Sequence, residues 1–248
     1  MESLEKKFIH TMMRGPEETD AEVLAEYLVG ELKAPAGDLL EKMREKINAL
    51  EYDSVLGDDT KSRIHSIVLS QALKEIYGSQ KNLETRFVQG GTLLKTSPGH
   101  RNEVKKYLAK ITPNLGKKTL IITEEIYSGE SVSRLLEILK SLGIQADVAA
   151  FSMVDLDDGV VEKEVREKFL KQGVDLFIPD KSSTFMLPEQ FGLLSRGRSK
   201  RGYAVKDMEP SHRPFIQFAH TAAFALSHKL AGEYMKKDRK NNLEKPEA

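Results

Sequence analysis

A chain of 248 residues without cysteine excludes disulfides, thiolate catalysis and cysteine-held metals. Its 40% hydrophobic share supplies enough apolar side chains for a core, and a formal net charge of zero removes the charge excess typical of disorder. No run approaches the roughly 18 apolar residues of a spanning helix, and the acids in the opening MESLEKKF argue against a secretory signal, so the expectation is a cytoplasmic protein with no membrane segment.

Charge is unevenly spread. Residues 1–60 hold fifteen acids against seven Lys and Arg, and residues 195–240 hold eleven Lys and Arg against four acids. Most of these charges read as solvated surface; the sharper reading is a basic face for phosphate groups.

Residues 1–85 read as a helical region by apolar spacing. Val23, Leu24, Tyr27 and Leu28 form one stripe. Asp38, with Glu41 three residues on, predicts the start of a second helix that buries Leu39, Leu40, Met43, Ile47 and Leu50. A third is expected from Asp59 to Tyr77, ended by Gly78. No motif here carries chemistry, and His65 reads as a helix residue at a core edge. The acidic region offers a self-association surface, and a homo-oligomer is expected.

The period then changes. Residues 90–111 read as a loop running into a helix of Val104, Tyr107, Leu108 and Ile111. Thr119–Thr123 is a β-branched apolar run that suits a buried strand. An amphipathic helix with Val132, Leu135, Leu136, Ile138 and Leu139 follows and closes at Gly143. Asp147–Ser152 is the next expected strand, Val160–Gln172 a helix ended by Gly173, and Val174–Pro179 a third strand. Alternation of this kind predicts parallel strands with crossover helices over 86–210. Phe215–Met235 reads as a last helix, within 211–236, and 237–248 as a disordered polar tail.

Ligands of open parallel sheets bind beyond the strands' carboxyl ends. There the loop Thr123-Glu-Glu-Ile-Tyr-Ser-Gly-Glu-Ser131 places two acids before small residues at a helix start. Amides at such a start can cradle a phosphate, while the acids hold ribose hydroxyls or hydrated magnesium. An ordinary turn capped by Ser128 or Ser131 fits the same residues.

The stretch TLIITEEIYSGESVSRLLEILKSLGIQADVAAFS resembles the phosphoribosyl pyrophosphate (PRPP) signature of type I phosphoribosyltransferases. The resemblance covers residues 119–152, and the order of elements extends it toward residue 180. It implies a phosphoribosyltransferase-like α/β fold with a parallel sheet. It also implies binding of PRPP or a nucleoside monophosphate, magnesium with the PRPP, and transfer of ribose 5-phosphate to a base. The acids, Glu124 and Glu125 or Thr123 and Glu124 according to register, would hold the ribose hydroxyls. Tyr127, Ser128, Gly129, Glu130 and Ser131 would form the 5′-phosphate loop, with Gly129 letting the backbone approach the phosphate. Tyr127 stands where the family often has an acid, and Glu130 sits inside the cradle; both favour the alternative of an inactive sensing or interaction protein.

Gly90-Gly91-Thr-Leu-Leu-Lys95 could serve as the family's pyrophosphate loop, facing Lys95 to the diphosphate. As a nucleotide P-loop it fails, because Leu94 stands where glycine is required. Lys181, after the third strand, resembles the base-contacting lysine of purine-salvage members. The basic run Arg196–Gly202 lacks the aromatic interleaving of a nucleic-acid face and reads as a solvated loop, with nucleic-acid binding a third reading. Ser211-His212 is no evidence for a triad. His220 and His228 read as helix-surface or core-edge residues.

Overall fold

The computed structural model describes residues 18–57, 62–88, 94, 96–154, 160–181 and 213–243. In chain order these form α1 (Glu18–Lys42), α2 (Arg44–Asn48), β1 (Ser54–Gly57), α3 (Arg63–Tyr77), β2 (Glu84–Phe87) and α4 (Pro98–Leu115). They continue with β3 (Lys118–Ile126), α5 (Glu130–Ser141), β4 (Gln145–Met153), α6 (Val160–Lys171), β5 (Leu176–Phe177) and α7 (Arg213–Leu243). The five strands pair in parallel in the order β2-β1-β3-β4-β5, a doubly wound α/β arrangement. Among the described residues no helix is long and apolar enough to cross a membrane.

The inner strands β1, β3 and β4 are buried on both faces because each face feeds a different helical layer. Val55, Leu120, Ile122, Ala149 and Phe151 enter a core with α1, α3 and α7. Leu56, Ile121, Val148 and Ala150 enter a second core with α4, α5 and α6.

The region 1–85, expected to be wholly helical, contains β1 and the start of β2. All four residues of β1 are buried, so it shows no alternation, and four residues are too few to stand out between helices. β2 is an edge strand of sequence ETRF, half-buried throughout, and carries no apolar run.

No helix begins at Asp38, because α1 runs through both Pro35 and Asp38. A mid-helix proline removes one backbone hydrogen bond, but Leu32, Ala36, Leu39 and Leu40 around it are fully buried and hold the helix in place. The Asp38 carboxylate instead accepts from the Asp180 amide (2.6 Å) and faces Lys42 (3.6 Å), tying α1 to the segment after β5.

The tail expected to be disordered continues α7 to Leu243. Asp238 accepts from Arg44 (3.0 Å) and Asn48 (2.9 Å), and the Arg44 guanidinium stacks 4.4 Å over the Tyr234 ring.

At the amino ends of the strands, buried Asp147 accepts from Tyr52 (3.1 Å), Lys118 (2.9 Å) and the Asp175 amide (3.2 Å). Lys46 pairs with Asp147 at 3.1 Å and with Asp175 at 2.7 Å. Burial works against the Lys46 charge, but the bonds to Asp175 and Asp147 outweigh it and hold the ammonium well above its usual range. Burial, reinforced by the Asp147 charge, likewise pushes the Tyr52 phenol up.

Candidate functional site

Strand order reverses between β1 and β3, so the chain leaves their carboxyl ends toward opposite faces of the sheet. From β1 it enters α3, in the first layer, and from β3 it enters α5, in the second. Such a reversal opens a crevice above the strand ends, the usual ligand position in these sheets.

The β3 wall differs from the expected loop. The strand does not end at Thr123; pairing of Glu125 with Ser152 and of Ile126 with Met153 carries it to Ile126. Glu124 and Glu125 therefore stand on the strand, and the loop proper is Tyr127–Gly129. Adjacent strand residues face opposite sides. Glu124 is in phase with Leu120 and Ile122, toward the α3 layer, and Glu125 with Ile121, toward the α5 layer. Ile126 packs into the second core, so alternation breaks at the very end of the strand.

Gly129 is buried, adopts the left-handed conformation (φ 63°, ψ 8°) and starts α5. A Cβ on it would lie 3.1 Å from Val165 Cγ1 and 3.2 Å from Phe169 Cζ. The glycine is thus accounted for by its backbone angle and by packing on α6, rather than by approach to a phosphate. Gly129→Ala should lower stability by about 1–3 kcal/mol from strain and crowding together, read as a shifted urea midpoint with unchanged slope.

Tyr127 (52% exposed) and Ser128 are open to solvent, and Glu130 and Ser131 are half-buried in the first turn of α5. The N-cap residue of α5 is Gly129, which has no side chain to cap the helix, so the amides of its first turn are not satisfied by an N-cap side chain.

The β1 wall was missed because β1 itself was. A Cβ on Gly57 would lie 2.6 Å from Phe87 Cδ1 and 2.8 Å from Ser66 Oγ, which leaves room only for glycine. Arg63, the first residue of α3, stacks its guanidinium 4.9 Å over the Phe87 ring. Its Nε is buried without a hydrogen-bond partner, and burial lowers its pKa. His65 is in the core rather than at its edge, 1% exposed and edge-on to Phe151 at 4.6 Å. On α7, half-buried His220 keeps Nε2 buried and unbonded, while exposed His228 pairs with Glu75 at 2.7 Å. The run Val55-Leu56-Gly57 ahead of a helix repeats the strand–glycine–helix order of β3 and was the available signal.

Gly90, Gly91, Lys95, the basic run 196–202, Ser211 and His212 lie outside the described residues. Val88, the last described residue ahead of the first of these, donates its amide to the Gly57 carbonyl at 2.9 Å. Lys181 is exposed beyond β5, two strands and about 10 Å from β3. Among the described residues no three His, Asp or Glu gather as a metal site. Compared with known proteins, the chain matches no family model, no curated protein and no solved structure.

Proposed function

We propose that the chain is phosphoribosyltransferase-like and binds PRPP or a nucleoside monophosphate in the crevice between β1 and β3. The observation that carries this reading is that the stretch resembling the PRPP signature stands at the reversal point of the sheet. The α5 amides suit a 5′-phosphate, Glu124 suits ribose hydroxyls, and Arg63 supplies positive charge on the opposite wall for a diphosphate. Magnesium would arrive on the diphosphate, with Glu124 as its protein contact. Bound there, magnesium would neutralise charge on the pyrophosphate leaving group. The chain's own part in transfer would be to hold sugar and base in line and to stabilise the cationic sugar electrostatically.

Calorimetric titration of PRPP with magnesium tests the reading, and absence of heat with the wild type would overturn it. Glu130→Ala should bind about fivefold more tightly, because it removes a like charge worth about 1 kcal/mol beside the cradle. Unchanged affinity would place that carboxylate in solvent.

A second reading, ligand sensing without transfer, is favoured by the placement of Glu124 and Glu125 on opposite faces, which denies one ribose both acids. Pyrophosphate release with any member of a panel of bases would decide for transfer.

A further inference from the structure

We infer that His220 is a proton-coupled part of the anion site, taking up a proton from solvent when a phosphate-bearing ligand engages Arg63. The inference rests on reading the crevice as an anion site and adds its regulation by pH. Two helices distant in sequence, α3 and α7, pack together and bring Arg63 and His220 within electrostatic reach. Each keeps a buried nitrogen without a hydrogen-bond partner, Nε of Arg63 and Nε2 of His220. Burial is what shifts Arg63, and no carboxylate among the described residues contributes to that shift. Two half-buried basic groups within electrostatic reach, with no counter-ion among the described residues, are unfavourable, and an anion would relieve both at once.

α7 packs against α3 and α1. On α3 the ionisable groups are Arg63, His65, Lys74, Glu75 and Tyr77, of which His65 is stacked on Phe151 and Glu75 is paired with His228. α1 contributes Glu26, Tyr27, Glu31 and Lys33 among its described side chains in this half, and Lys33 pairs with Glu233 lower on α7 at 3.1 Å. None of these shifts His220. Burial first, and the Arg63 charge second, hold its imidazole below the usual value. An anion on Arg63 reverses that field, so the imidazolium becomes favourable and Nε2–H gains an acceptor. By linkage, anion affinity must then rise as pH falls through the histidine range.

Inorganic sulfate is a suitable probe, since its own charge does not change near neutral pH. The His220 imidazole is followed by proton NMR and assigned by its loss in His220→Asn. Sulfate should raise its titration midpoint by about one pH unit, matched by a tightening of sulfate binding of up to about tenfold as pH falls through that interval. His220→Asn should bind sulfate with that pH dependence removed, and Arg63→Met should raise the midpoint in the free protein and abolish the response to sulfate. An unmoved midpoint in the presence of bound sulfate, or an unaltered pH dependence in His220→Asn, would overturn the inference. PRPP binding with an unmoved midpoint would overturn it while leaving the proposed function standing. Sulfate coupling without PRPP binding would do the reverse, and absence of both ligands would remove both.

Discussion

Asp147→Ala is expected to destabilise the fold by about 3–5 kcal/mol, because it strips one buried charge from partners that remain. Asp147 is fully buried, and its loss leaves the Lys118 ammonium and the Tyr52 hydroxyl without their acceptor, while Lys46 keeps only Asp175 and a 3.4 Å contact to Glu51. For a chain of this length the loss corresponds to a fall of about 10 °C in Tm. Asp147→Asn should fall less far, since an amide oxygen can still accept from Tyr52 and from the Asp175 amide. The cluster lies at the amino ends of the strands, opposite the crevice, so PRPP binding measured well below Tm should survive in both variants. Equal melting of Asp147→Ala and wild type would show that the cluster holds nothing.

Glu124→Ala should weaken PRPP binding by one to two orders of magnitude, the loss of a charged acceptor worth about 1.5–3 kcal/mol. The argument is one of phase. Glu124 follows Leu120 and Ile122 toward the layer that carries Arg63, so a ligand bridging the α5 amides and Arg63 passes over it. Glu125 follows Ile121 toward the α5 and α6 layer, and Glu125→Ala should leave affinity within about twofold. Should Glu125→Ala prove the damaging change, the sugar lies on the other face of β3 and the assignment of Glu124 fails. Melting curves for both variants separate binding from folding.

Legibility in the sequence followed contiguity. β3, β4, α5 and α6 were readable because each carries an apolar run or stripe long enough to show its period, and because the helices stop at glycines. β1 was not, since a short strand buried on both faces has no alternation to display, and β2 was not, since an edge strand tolerates Glu84, Thr85 and Arg86. Asp38 looked like a helix start because local rules say so, yet Leu39 and Leu40 are worth more buried in a continuous α1 than any cap is in solution. The polar end of α7 looked unstructured because its anchor, Arg44, lies 194 residues away in sequence from Asp238. The same distinction divides the site. The wall from Glu124 to Ser131 is one continuous segment and could be read directly. The opposite wall is assembled from Gly57, Arg63 and Phe87, which only the fold brings together.

The packing of α7 sets an order on biosynthesis. Among the described residues, the core shared by α4, α5 and α6 is made up once Ile178 has been added, whereas the core over α1 and α3 still lacks Ala219, Ala223, Leu226, Leu230 and Tyr234. A growing chain halted before α7 would carry one finished side of the sheet and one covered only by α1 and α3, with Leu28, Leu32 and Leu39 short of the helix that completes their core. Helix α1, though made among the first segments, cannot dock fully until α7 leaves the ribosome, and the nascent protein must protect that apolar surface for the whole interval between them.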